Sequence, residues 1–82
     1  MKFLALLVMV ASFVFGAVDI NNANIKELTT LNGVGISKAK AIVSYREKHC
    51  FKKVDDIIQV KGLGAKFLEK NRKNMKIGAC KK

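Results

Sequence analysis

Residues 25–35 read IKELTTLNGVG, and residues 54–64 read VDDIIQVKGLG. The two stretches carry one pattern at an offset of 29 positions: a short helical run, then apolar–polar–Gly–apolar–Gly. Leu28 aligns with Ile57, Leu31 with Val60, Gly33 with Gly62, Val34 with Leu63 and Gly35 with Gly64. After each Gly-x-Gly the apolar residues resume a helical spacing. The chain therefore reads helix, tight glycine turn, helix, and then the same again. Residues 17–82 show no sustained alternation of the kind a half-buried strand needs, so the expected class is all-α, with about four to five short helices.

Capping and periodicity set the expected limits. Asn24-Ile-Lys-Glu is a capping-box pattern, which starts the first helix near Asn24 and carries it to about Leu31. The second helix is expected over residues 36–49, with Ile36, Ala39, Ile42 and Val43 on its apolar face. A third is expected over 54–60, with Asp55 and Asp56 favourable in its first turn. The fourth is expected over 65–75, turning Leu68 and Met75 inward, with Ile77 packing as the chain leaves.

Glycine in such a turn supplies positive φ and lets the backbone come close to another molecule. A helix begins directly afterwards, and a helix N-terminus exposes unpaired N–H groups with a partial positive charge. Together these make an anion-binding concavity. Lys38 and Lys66 sit in the first turns of the two following helices, where a cation conflicts with the helix dipole unless an anion is bound. Two such sites suit the repeated phosphates of a nucleic-acid backbone, read by amides and lysines without regard to base identity. One Gly-x-Gly alone is an ordinary turn; two at equal offset, each followed by Lys, carry the inference. Lys40, Lys70, Lys73 and Lys76 read as solvated faces, Arg46 and Arg72 are open, and Tyr45 and Phe51 read as packing residues. Tyr45, Phe51 and Phe67 make no stacking series for single strands.

The flanks and the composition agree with an exported polyanion binder. The chain has 82 residues, 16 Lys and Arg against 6 Asp and Glu, and a net charge of +10. Such an excess points to nucleic acid, an anionic membrane surface or an acidic polymer. One small domain leaves little room for a buried cofactor pocket. Residues 1–17 read MKFLALLVMVASFVFGA: one Lys, an apolar run over 3–15 broken only by Ser12, then small residues. That is the anatomy of a secretory signal peptide, expected to be cut after Gly16; the alternative is an uncleaved anchor over residues 3–18. Residues 17–82 would then form the working domain with 15 cations, 6 anions and a net +9. Cys50 and Cys80 make an even pair in an oxidising compartment, read as one disulfide, with two free thiols as the alternative. With His49 they remain one ligand short of a four-coordinate zinc site, and no metal or cofactor is expected.

Residues 18–77 resemble the tandem helix-hairpin-helix domain of ComEA-type competence proteins. The resemblance is carried by VDINNANIKEL and by LNGVGISKAKAIVSYREKHCFKKVDDIIQVKGLGAKFLEK. It implies sequence-independent binding of double-stranded DNA in the periplasm, across the minor groove, in support of DNA uptake during natural transformation. It implies hairpin contacts from Gly33, Val34, Gly35, Gly62, Leu63 and Gly64, with Lys38 and Lys66 beside them. Further partners would be other components of the uptake machinery, with membrane contact only if the N-terminal segment stays uncleaved. No catalytic residue is expected, because Ser12, Ser37, Ser44 and the acids show no nucleophile–base spacing. Two departures stand out. Lys53 replaces a small capping residue, predicting a poorly capped third helix, and Asn71 replaces an apolar residue, predicting a loose last helix unless Phe67 covers the gap. Two other classes keep the same charge: a secreted cationic protein acting on anionic membranes or polymers, and a helix-hairpin-helix protein–protein adaptor.

Overall fold

Asn24 opens the first helix as its pattern predicts. Its side chain accepts from the Glu27 amide at 2.8 Å, and the Glu27 carboxylate accepts from the Asn24 amide at 2.9 Å. The computed structural model describes residues 17–80; the segment 1–16, read above as a signal peptide, lies outside the described residues. The order is β1 (Val18–Asp19), α1 (Ile25–Leu28), α2 (Ile36–Lys48), a 3₁₀ segment (Val54–Gln59), α3 (Ala65–Asn71), a 3₁₀ turn (Arg72–Asn74) and β2 (Met75–Lys76). Helix α1 stops short of Leu31 because the Thr29 and Thr30 hydroxyls donate to the Lys26 and Glu27 carbonyls at 2.7 and 2.6 Å. Among the described residues no helix is long and apolar enough to cross a membrane.

The third helical stretch winds as 3₁₀, not α. Its inward residues Val54, Ile57 and Val60 recur every third position, the period of a three-residue turn. Lys53 cannot accept a hydrogen bond, but the other half of the cap survives: the Asp56 carboxylate accepts from the Lys52 and Lys53 amides at 3.0 and 3.3 Å. Asp56 is the repeat counterpart of Glu27, so one acidic residue closes the start of each first helix.

The 29-residue repeat is also the core. Leu28 and Ile57, Leu31 and Val60, Val34 and Leu63, Ala39 and Leu68 are four buried pairs at that offset. Ile20, Ala23, Ile42, Phe51 and Met75 complete the cluster. The Tyr45 ring stacks on Phe51 with centroids 5.2 Å apart, so both aromatics are packing residues as expected. The Ile36 expected on the inner face of α2 is instead 56 % exposed at the helix's first position.

The two ends of the domain are joined by a strand pair too short to leave a sequence signal. Val18 pairs with Met75 and Asp19 with Lys76, in parallel. Behind it sits a polar knot. The Asp19 carboxylate accepts from the Asn21 amide, the Asn22 side chain and the Gly78 amide at 2.8–3.0 Å. A Cβ built at Gly78 would fall inside that carboxylate, which explains the glycine. Asn21 clips the backbone of Phe51, accepting from its N–H at 2.8 Å and donating to its carbonyl at 3.0 Å. Arg46 donates to the Ile20 carbonyl at 3.1 Å.

Burial pushes the Asp19 carboxyl up, but the Asn22 side chain and the Asn21, Gly78 and Asn22 amides outweigh it and hold it below the ordinary value of 3.8. Folding therefore favours the ionised form. The resulting stability is complete above the unfolded-chain value and is lost as pH falls through the lower folded value. Thermal melts between pH 6 and about pH 2 should show a steeper acid loss for the parent than for Asp19→Asn; parallel curves would exclude this role.

Candidate nucleic-acid interface

The two glycine turns are near copies. The Val34 amide donates to the Leu31 carbonyl at 3.2 Å, and the Leu63 amide to the Val60 carbonyl at 3.0 Å. Gly33 has φ +84° and Gly62 has φ +93°, the only positive values among the described residues. Such a closure with positive φ at its third residue is the type II pattern, which needs glycine there. Val34 and Leu63 then plunge into the core at 5 % and 4 % exposure. This corrects the expectation for these two residues. Their amides close the turns and their side chains anchor them, so they are not free donors for an anion.

Gly35 and Gly64 differ from their neighbours in kind. Both have negative φ and extended backbone, so no left-handed conformation demands a glycine. A Cβ at either would meet nothing within 4 Å. Neither the fold nor its packing accounts for a missing side chain at these positions. Both are N-caps of the helices that follow, and neither helix has a side-chain cap or an acid in its first turn. The stretches that lead into the hairpins carry Glu27, or Asp55 and Asp56, in theirs. In α2 the first intrahelical bond runs from the Ala39 amide to Gly35; in α3 it runs from the Leu68 amide to Gly64. The preceding amides are left bare at the exposed mouth of each hairpin.

The lysines crowd this mouth. Lys38, Lys66 and Lys70 line one cleft of about 210 Å³ with Asn32, Gly33, Gly62, Leu63 and Phe67. Lys38 and Lys66 are not repeat equivalents: Lys38 matches Phe67, and Lys66 matches Ser37. Lys38 leans across the second hairpin, with its Cε 3.5 Å from a Cβ built on Gly62. Lys70, read from sequence as a solvated residue, belongs to the cleft and lies against the first hairpin. Arg72 is committed to an exposed ion pair with Asp55, and Arg46 to the Ile20 carbonyl. The other predicted residues stay at a distance in function: Cys50 and Cys80 form the disulfide, with Cα atoms 5.8 Å apart.

Asn71 overturns the expectation of a loose last helix. It is fully buried and stands at the repeat position of Ile42. Its Oδ1 accepts from the Asn32 amide at 2.8 Å, and its Nδ2 donates to the Asn32 and Phe67 carbonyls at 3.0 Å. It thus fastens α3 to the first hairpin. No local pattern marks such a residue, because its partner lies 39 positions away.

Two Gly-closed hairpins, each between helical segments, define the architecture, and the helix-hairpin-helix motif family matches residues 15–76. The chain belongs to that family. Among its relatives, ComE operon protein 1 of Bacillus subtilis is 43% identical over 61 residues, 73% of this chain and 30% of that protein. An uncharacterized protein of Haemophilus influenzae is 46% identical over 56 residues, 66% of this chain and 50% of its own length. The human endonuclease/exonuclease/phosphatase family domain-containing protein 1 is 50% identical over 52 residues, only 9% of its length. The chain thus spans half or less of each of these relatives.

Proposed function

We propose that the protein binds double-stranded DNA through its phosphates, without sequence preference, and retains it in the periplasm during DNA uptake for natural transformation. The observation that carries this reading is the pair Gly35 and Gly64. They are exposed, uncapped helix starts where neither φ nor packing asks for glycine, each two residues past the Gly33 or Gly62 that lines a cleft with Lys38, Lys66 and Lys70. A bare N-cap leaves the amides to an outside acceptor, and phosphate oxygens are the acceptors that match. Contacts of this kind fix a duplex by its backbone and carry no base information. The likeness to ComE operon protein 1 supports the uptake setting. The N-terminal run, cut after Gly16, supports export of residues 17–82. No step of this function is chemical: bound protein opposes backsliding of the incoming duplex by occupying it. Among the described residues no group of three or more His, Cys, Asp or Glu could hold a metal ion.

Salt titration of the protein comprising residues 17–82 against two unrelated duplexes of equal length tests the reading. Both should bind equally, with a log–log slope of about −2 to −5, equivalent to a few phosphates. A marked preference for one sequence would overturn it, as would binding of anionic vesicles in preference to duplex.

A further inference from the structure

The two hairpins are cross-braced. Lys38, from the helix after the first hairpin, lies over Gly62 of the second. Asn71, from the helix after the second, grips Asn32 of the first by both its N–H and its carbonyl. Where the repeat places Ile42 in one motif, it places this polar clip in the other. A buried asparagine in an apolar core is costly unless satisfied, and here none of its side-chain atoms is left unpaired. An apolar residue would fill the same space without that requirement. What it could not do is hold the Asn32 backbone at a set position relative to α3.

We infer that Asn71 is a positioning residue that sets the spacing between the two hairpins, so that they engage a duplex as one two-pronged clamp. This rests on the phosphate-binding reading above. With the clip gone, the side-chain hydrogen bonds that join α3 to the first hairpin are lost, and the hairpin's bare amides lose their register against those of the second. A duplex presents phosphates at fixed separations on two strands and needs that register. A flexible single strand can adjust to either hairpin and does not.

The test compares the protein with Asn71→Leu, measured well below the melting temperature of both. Asn32→Pro serves as a second variant: it removes the N–H that Asn71 accepts, at a turn position where Pro is favoured, without altering α3. Affinities for a duplex and for a single strand of equal length are measured across a salt series. For each folded variant, duplex affinity should fall about 10-fold and the salt slope should shrink by roughly 1 to 2, the equivalent of one or two phosphates. Single-strand affinity should be unchanged. A merely structural role would lower the melting temperature and leave the slope and the duplex-to-single-strand ratio of the folded protein as they were; that result overturns the inference. If Asn71→Leu does not fold, Asn32→Pro decides on the same criteria. If the parent itself shows no salt-dependent duplex binding, it is the phosphate-binding reading that falls, and the inference with it.

Discussion

Replacing Gly35 and Gly64 together by Asp should make the protein more stable and nearly abolish its binding to DNA. The first effect follows from the helix starts. Asp is among the best N-cap residues, and its carboxylate would accept from the bare first-turn amides that now have no side-chain cap. Removing two glycines whose φ any residue can adopt also restricts the unfolded chain, by about 0.4–1 kcal/mol each. A Cβ at either position meets nothing, so no packing loss offsets this. A net gain of about 1 kcal/mol raises the melting temperature of so small a domain by about 4–8 °C. The second effect follows from the same atoms. The new carboxylates take the amides that phosphate would use and add negative charge at the contact. Charge-assisted hydrogen bonds contribute about 1.5–3 kcal/mol each, so two lost contacts predict at least a 100-fold fall in affinity. Fluorescence anisotropy with a labelled duplex and circular-dichroism melts would read both. Parent-like affinity in the folded double variant would reduce the hairpins to ordinary turns. Ala at Gly33 or Gly62 should behave oppositely, because φ of +84° and +93° makes the fold itself bear the strain.

That contrast between two kinds of glycine was not legible in the sequence, where all four stand in equivalent Gly-x-Gly pairs. The helix starts, the repeat and most of the core were legible, because they follow from local spacing: Leu28, Leu31 and Val34 recur as Ile57, Val60 and Leu63, and all six are buried; the ends were not, since α1 stops at Leu28 and α3 at Asn71, short of the expected Leu31 and Met75. Where the deciding partner is distant in sequence, local spacing carries no sign of it. Asn71 looks like a defect in an apolar row until Asn32 is brought beside it. Lys70 is exposed as its spacing predicts, but only the fold brings it beside Asn32 and Gly33 of the first hairpin. The two-residue strands Val18–Asp19 and Met75–Lys76 exist only as a pair, each supplying what the other lacks. Ile36 obeys the helical period but sits at the first position of α2, beyond the reach of the core. Val34 and Leu63 carry the hairpin pattern, but their amides are spent inside the turns, which only the folded closure reveals.

Reduction of the disulfide should be the most damaging change that leaves the DNA-binding surface untouched. Cys50 follows α2 and Cys80 follows β2, 30 positions on. The bond closes the 3₁₀ segment, the second hairpin and α3 into one loop. For a loop of this length the chain-entropy relation gives about 3 to 4 kcal/mol. A fold formed by residues 17–80 is marginal on core burial alone, so that share is large. The loop also contains a 3₁₀ stretch without a complete cap and a helix of 7 residues. The two hydrogen bonds of the Asn21 clip on Phe51 and the one from the Asn22 side chain to the Ala79 carbonyl hold the same region, but without a covalent tie. The Cys50→Ser, Cys80→Ser double variant, or the parent under reductant, should therefore melt on the order of 15–25 °C lower. At a temperature where it remains folded, its duplex affinity should match the oxidised parent, since neither cysteine lines the lysine cleft between the hairpins. Mass spectrometry of protein recovered from the cell, with and without reductant, supplies the companion observation. A mass lower by about two hydrogens before reduction, for one bond closed in an oxidising compartment, supports both the staple and the proposed location, whereas two free thiols would remove the staple from the account of stability.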